Sequence, residues 1–249
     1  MSDCIIIIPT YNERENIEKM VRKVMTLKEK EFNLLIVDDG SPDGTGAIVK
    51  TLMQEFPDRL FLEGRKGKLG LGTAYIHGFK WSLARKYDYI FEMDCDFSHD
   101  PDDLPRLYKA CTKDGADLAI GSRYINGVTV INWPIGRVIM SYYASAYVRF
   151  VTGMTIRDTT AGFVCFKRIV LETLNLDKIT FMGYAFQIEM KFTAWKHGFN
   201  LLEIPIIFKD RTEGVSKMSS KIFKEAFIGV LQMRIKSMFH TFKKVSPDK

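Results

Sequence analysis

The chain has 249 residues, 46% hydrophobic and 27% charged, a balance that suits one folded domain and argues against disorder. Its net charge of +6 points to an anionic partner, a class that covers nucleotide phosphates, acidic lipid and nucleic acid. Cys4, Cys95, Cys111 and Cys165 form no Cys-x-x-Cys pair, which argues against structural zinc or a disulfide framework and suits a reducing compartment. No signal peptide is apparent, and no apolar run reaches the ~18 residues of a membrane span. The apolar stretch Trp133 to Met154 is interrupted by Arg137 and Arg149, so any membrane contact is expected at a surface.

In chain order, Cys4–Ile8 reads as a strand and Glu13–Leu27 as a helix. Leu34–Val37 is a second strand, followed by the turn Gly40-Ser41-Pro42-Asp43-Gly44 and a helix to Phe56. Strand Leu60–Leu62, helix Thr73–Lys86 and strand Tyr89–Met93 continue the alternation. Asp100-Pro101-Asp102-Asp103 opens a helix, with Asp as cap, Pro at the first position and acids complementing the dipole. Leu118–Ile120 is the next strand; helices of this length between strands mean βαβ units and a mostly parallel sheet. Beyond Tyr124 come an amphipathic patch Ile135–Val151, a strand-like Gly162–Phe166 and a helix near Tyr184–Lys196. A strand Leu201–Phe208 and a second amphipathic patch, Ser219–Phe242, complete the order.

Ligands of open parallel sheets bind beyond the carboxyl ends of the strands, and four polar clusters fall there. They are Pro9-Thr10-Tyr11-Asn12-Glu13, Asp38-Asp39-Gly40-Ser41, Asp94-Cys95-Asp96 and Gly121-Ser122-Arg123-Tyr124. Asp94 and Asp96 are two apart, so their carboxylates share a face. Two hard oxygen ligands suit Mg²⁺ or Mn²⁺ bridging phosphates, although an isolated Asp-x-Asp is equally a pair of turn formers. Gly67-Lys68-Leu69-Gly70-Leu71-Gly72-Thr73 fits neither the dinucleotide nor the P-loop spacing and reads as a tight turn with Lys68 near the site. Arg211 and Lys217 supply a guanidinium and an ammonium for phosphate, or simply a solvated basic loop.

Taken together, these motifs resemble glycosyltransferase family 2. With Thr160-Ala161-Gly162-Phe163 and the segment Arg211 to Lys217, they resemble more narrowly the dolichol-phosphate mannose synthases, from about Ile5 to Met218. The resemblance implies a GT-A fold: an α/β domain over residues 1–218, with a mostly parallel sheet and helices on both faces. Residues 219–249 then form a basic amphipathic interfacial helix and tail. It implies GDP-mannose bound by Pro9, Tyr11, Glu13, Val37, Asp39, Asp94, Cys95, Asp96, Arg123, Arg211 and Lys217, with Asp94, Asp96 and Arg123 at the chemistry. Asp94 and Asp96 match metal positions, and Ser98 stands where some relatives place a third ligand, Gln. Trp133, Arg137 and Ser141 match the acceptor loop, with Arg123 beside them, facing a polyprenyl or dolichyl phosphate. The spacing of those three would stack them along one face of a helix. The Gln-x-x-Arg-Trp pattern of processive relatives is absent, which favours a single transfer.

The implied reaction inverts the donor linkage and gives a β-mannosyl phosphate. The acceptor needs no general base, because a phosphate monoester has a second pKa of ~6. Lys221, Lys224, Arg234, Lys236, Lys243 and Lys244 accompany the apolar spacing of Ile222, Phe223, Ala226, Phe227, Val230, Leu231, Ile235, Met238, Phe239 and Phe242. That pattern suits a peripheral enzyme on the cytoplasmic face of a membrane, with a small membrane protein as a further candidate partner. A helix packed on the sheet with a solvated basic edge gives the same pattern. Rival readings are a UDP-glucose-dependent polyprenyl-phosphate glucosyltransferase and a non-catalytic nucleotide-binding membrane-surface protein. Nucleic acid is not expected, since the basic residues are not interleaved with a recognition motif.

Overall fold

The computed structural model describes residues 2–210, 220–239 and 241–245, without the side chains of residues 184 and 220–226. The first half runs β1 (Cys4–Thr10), α1 (Ile17–Met25), β2 (Asn33–Asp38), α2 (Thr45–Glu55), β3 (Leu60–Gly64), α3 (Leu71–Ala84), β4 (Tyr89–Glu92), α4 (Leu104–Thr112) and β5 (Leu118–Ser122). Then follow β6 (Val130–Ile131), α5 (Ile135–Thr152), β7 (Val164–Lys167), α6 (Arg168–Thr173), α7 (Tyr184–His197), β8 (Leu201–Pro205), β9 (Phe208–Lys209) and α8 (Ser220–Met238). The strands order as β3-β2-β1-β4-β7-β5-β8, with β6 and β9 as a separate pair.

Both faces of the sheet are covered, which is why its strands read as unbroken apolar runs rather than alternating ones. Ile5, Ile7, Leu35 and Val37 pack toward α3 and α7, while Ile6, Ile8, Leu34 and Ile36 pack toward α1, α2 and α4. The expected parallel sheet is present with one inversion: β7 runs antiparallel to both neighbours, β4 and β5. This brings the start of β7 to the same edge as the ends of β4 and β5. The sheet's direction of winding reverses between β1 and β4, and the crevice outside that reversal is where such sheets bind ligands.

Local chemistry explains where elements begin and end. The first helix starts at Ile17, not Glu13; the amides of Asn16 and Ile17 both donate to the Glu13 carbonyl, closing a turn that leads into it. Asp100 caps its helix as expected, its side chain accepting from the Asp102 amide. Pro101–Asp103 form a 3₁₀ turn that runs straight into α4. The expected strand Leu201–Phe208 is divided after Pro205. Ile206 donates to the Ser122 carbonyl, and the chain then turns so that β9 pairs with β6.

The C-terminal helix is present, and part of it is core. Val230 and Met233 are buried, Tyr147 of α5 stacks on Phe227 at 4.2 Å, and Gly229 faces the Phe181 ring so closely that a Cβ would lie 2.5 Å from it. On the same helix Ile228, Leu231, Ile235 and Met238 are exposed, as is Phe239 just beyond it. Ile222, Phe223 and Ala226 lie outside the described side chains. Among the described residues, no helix is long and apolar enough to cross a membrane.

Candidate active site

At the ends of β1 and β2 the chain builds a compact polar corner. Asp38 Oδ1 accepts from Thr10 Oγ1 at 3.0 Å and from Ser41 Oγ at 2.6 Å, which fixes the turn after β2. Asn12 takes a positive φ of 57°, and its amide donates to Ser41 Oγ. The Glu13 amide donates to Thr45 Oγ1, tying the end of β1 to the start of α2. Lys68 Nζ lies 5.4 Å from the Tyr11 ring, bringing the glycine-rich turn to this corner. Asp39 pairs at 2.6 Å with Arg65, whose Nη1 donates to Thr73 Oγ1. Thus Tyr11, Glu13 and Asp39 cluster here with Pro9 at the strand end. The side chains of Val37 in β2 and of Cys95, just beyond β4, are buried.

Next to this corner opens a cavity of about 620 Å³ that brings together Asp94, Asp96, Ser98, Arg123, Arg137 and Ser141, with Trp133 also in its wall. Arg211 and Lys217 lie outside the described residues. Asp96 Oδ1 accepts from both the amide and the hydroxyl of Ser98, at 3.1 and 2.5 Å. In this arrangement Ser98 orients Asp96. His99 stacks on Phe163, and its Nδ1 accepts from the Asp94 amide at 3.2 Å, which assigns its proton to Nε2. Burial pushes the His99 pKa down to about 4, so the ring is a neutral prop for the Asp94 backbone.

Among the described residues, no group of three or more His, Cys, Asp or Glu could hold a metal. Two carboxylates at one end of a cavity fit a hard cation that takes its remaining oxygens from a diphosphate and water, as Mg²⁺ and Mn²⁺ do.

Arg123 is held rigidly. Asp158 accepts from its amide, Nε and Nη2 at 3.0, 2.7 and 2.6 Å, and Thr160 Oγ1 takes Nη2 as well. Burial alone would raise the Asp158 pKa, but the guanidinium outweighs it and holds the carboxyl below the ordinary range. Glu203 of β8 anchors this arrangement by accepting from Ser122 Oγ and from the amides of Arg157 and Asp158, at 2.7 to 2.8 Å. Arg137 binds Asp210 through Nη1 at 3.0 and 3.1 Å and lies 4.0 Å over the Trp133 ring. Trp133 precedes α5, so the expected three-residue stripe along a helix face is corrected: only Arg137 and Ser141 are helical, and Trp133 meets Arg137 by stacking. Ser141 Oγ accepts from the Tyr124 hydroxyl at 2.7 Å.

Away from the charges the cavity walls turn apolar, formed by Ile139, Met140, Tyr143 and Tyr147 of α5 with Phe227 and Val230 of α8. Sequence reading missed Arg65, Asp158, Glu203 and the pairing role of Asp210. Only Asp158 and Arg65 carried a signal, each lying close before a motif that was noticed. It also missed the buried pair Gln187 and Lys191 of α7.

The description "Glycosyl transferase family 2" matches residues 5–174. A polyprenol monophosphomannose synthase of Mycolicibacterium smegmatis is 47% identical over 93% of this chain and 87% of its own. An undecaprenyl-phosphate mannosyltransferase of Micrococcus luteus is 42% identical over 91% of each chain. Among solved structures, glucosyl-3-phosphoglycerate synthase from Mycobacterium tuberculosis, in complex with Mn²⁺, UDP-glucose and phosphoglyceric acid, superposes with a TM-score of 0.67 at 17% identity, over 94% of this chain and 80% of that one. A mannosyltransferase from Pyrobaculum calidifontis, in complex with GDP-Man and Mn²⁺, gives 0.59 at 18%, over 99% and 66%. These structural likenesses show the shared α/β fold, and with the matched span and the two relatives they place this chain: it belongs to glycosyl transferase family 2.

Proposed function

We propose that this enzyme transfers mannose from GDP-mannose to a polyprenyl phosphate of the dolichol type, inverting the anomeric carbon to give a β-mannosyl phosphate. The observation that carries the reading is the polarity of the cavity: carboxylates and guanidinium groups at one end, aromatic and aliphatic walls at the other. A lipid phosphate has the same two-part character. The names of the two relatives, a polyprenol monophosphomannose synthase and an undecaprenyl-phosphate mannosyltransferase, support mannose and a polyprenyl acceptor.

In this reading the nucleoside lies over the β1–β2 corner, with Pro9, Tyr11, Glu13, Asp39 and the backbone of Val37 and Cys95 around it. Asp94 and Asp96 would hold Mg²⁺ or Mn²⁺, with Ser98 supporting Asp96. A bound divalent cation there would offset the charge that builds on the departing GDP. An acceptor phosphate oxygen forms the new bond to the anomeric carbon as the bond to the diphosphate oxygen breaks on the opposite side. At neutral pH that oxygen already carries its charge, because the second pKa is ~6, and no side chain has to remove a proton. Arg123, held by Asp158, gives a fixed positive edge. Arg137 and Ser141 grip the acceptor phosphate, and Arg211 and Lys217 are assigned to the donor phosphates. The prenyl chain leaves along α5 and α8 toward a bilayer that the exposed side chains of those helices meet.

Purified protein assayed with GDP-mannose and UDP-glucose, with and without polyprenyl phosphate, tests this directly. Lipid-linked mannose formed only with GDP-mannose, acceptor and divalent metal is the expected result. Preference for UDP-glucose, or nucleotide binding without turnover, would overturn it.

A further inference from the structure

Beneath the cavity lies a polar group of three side chains that the mechanism above does not use. Glu92 of β4 and Lys191 of α7 are both 0% exposed, and Gln187, one helical turn before Lys191, is 3% exposed. Burying an ammonium and a carboxyl in a sheet-helix interface is costly unless every donor is spoken for. Here the ammonium is fully used: Lys191 Nζ donates to the Ala161 carbonyl at 2.6 Å, the Gln187 carbonyl at 3.2 Å and Gln187 Oε1 at 3.1 Å. Gln187 Nε2 donates to Glu92 Oε2 at 2.8 Å. A cation on its oxygen and a carboxyl on its nitrogen leave the amide one orientation and fix it at both ends.

An amide nitrogen carries two protons, and Glu92 takes one. The second has no partner among the described residues, although Gln187 is almost wholly buried and lines the cavity. A donor with a proton to spare on a cavity wall is placed to serve whatever polar group enters the cavity.

Sheet order says which part of the ligand that is. The strands run β2-β1-β4-β7. With the nucleoside over β1 and β2 and the diphosphate at Asp94 and Asp96 after β4, the next group of the donor lies over the start of β7. Val164 pairs with Glu92, so Ala161 and Gly162 sit at the level of Asp94. A Cβ on Gly162 would be 3.9 Å from Gln187 Nε2, so the amide stands beside the Gly162 backbone. In the donor placement proposed above, the transferred sugar falls at this position.

We infer that Gln187 reads a ring hydroxyl of the transferred sugar through its second Nε2 proton, with Lys191 and Glu92 as positioning residues that fix the amide. The inference rests on the donor placement proposed above and adds a determinant of sugar identity to it. A site that donates a buried hydrogen bond to a hydroxyl rejects the analogue lacking it, because the donor is then left unpaired.

The test compares GDP-mannose with GDP-sugars that each lack one ring hydroxyl, on wild type, Gln187→Met and Lys191→Met, with polyprenyl phosphate as acceptor. In wild type one deoxy donor should lose on the order of 10-fold or more in kcat/KM. In Gln187→Met that penalty should fall toward unity while the penalties at the other hydroxyls persist, and Lys191→Met should shrink the same penalty. A purely structural role lowers all donors together and leaves the pattern unchanged, which would overturn the inference. So would a wild-type scan in which no hydroxyl matters, a result independent of how any variant folds. A wild type that uses UDP-glucose instead would overturn the donor assignment and not this inference, which is then read from deoxyglucose donors.

Discussion

Arg123 shows how a cation in a cavity wall can be made rigid at low exposure. Its pairing with Asp158 fixes three of its donors, and Glu203 fixes the loop that carries Asp158. Removing one member of such a buried pair leaves the other uncompensated, so Asp158→Ala should cost roughly 3–5 kcal/mol of stability at neutral pH. Because the folded pKa of Asp158 lies below its unfolded value, its stabilisation is present above the unfolded pKa and lost as pH falls through the folded one. Denaturant melts of wild type and variant should therefore differ most near pH 7 and begin to converge only below about pH 4, as pH falls through the lowered folded pKa. A difference that stays constant into acid would show that the pair is not the source. At the same polar end of the cavity, Asp96→Asn should lower turnover on the order of 10²- to 10³-fold with an unchanged fold, if a cation sits there. Full activity of that variant, or of wild type in excess chelator, would remove the metal from the mechanism.

At the level of elements, the structure separates what local pattern shows from what it hides. The strand-end clusters were legible because each follows an apolar run directly, and the Asp100 cap because its chemistry lies within three residues. The Asp158 and Glu203 partnerships were not, since Arg123 meets Asp158 across 35 positions and Ser122 meets Glu203 across 81. The direction of β7 was equally hidden: a short apolar strand carries no sign of which way it pairs, and the connection through α5 decides it. The amphipathic patch Ile135–Val151 coincides almost to the residue with α5, yet its acceptor stripe was misplaced, because Pro134 starts the helix after Trp133. What the sequence pattern treated as one ladder is two interactions, a stack under Arg137 and a hydrogen bond on Ser141. This gives a selective expectation for α5. Arg137→Ala should raise the KM for polyprenyl phosphate roughly 10-fold or more, the scale of a lost charged hydrogen bond. GDP affinity, measured by calorimetry, should hardly change, and an equal fall in both would move Arg137 to the donor site.

For the whole molecule the proposed acceptor raises the question of how an enzyme would reach a substrate whose chain is dissolved in lipid. Its two cavity-walling helices expose Ile135, Ile139 and Tyr143 on α5 and Ile235 and Met238 on α8, with Phe150 90% exposed near the end of α5 and Phe239 86% exposed just past α8. Side chains of this size left in water are a liability unless a surface covers them, and Lys236, Lys243 and Lys244 supply the charge that anionic lipid attracts. Burial of each large apolar side chain contributes about 1.5–3 kcal/mol, and each Lys near an anionic leaflet about 1 kcal/mol, the latter screened by salt. The protein should thus sediment with anionic vesicles reversibly and lose part, not all, of that binding at high salt. Removing α8 is the wrong test, because Val230, Met233 and Gly229 belong to the packed interior and their loss would open it. Exposed positions avoid that difficulty. Phe239→Glu and Phe150→Glu should release the protein from vesicles while leaving GDP binding and thermal stability near wild type, since neither side chain packs on the core. If both variants sediment like the wild type, the apolar faces of α5 and α8 are covered by something other than lipid.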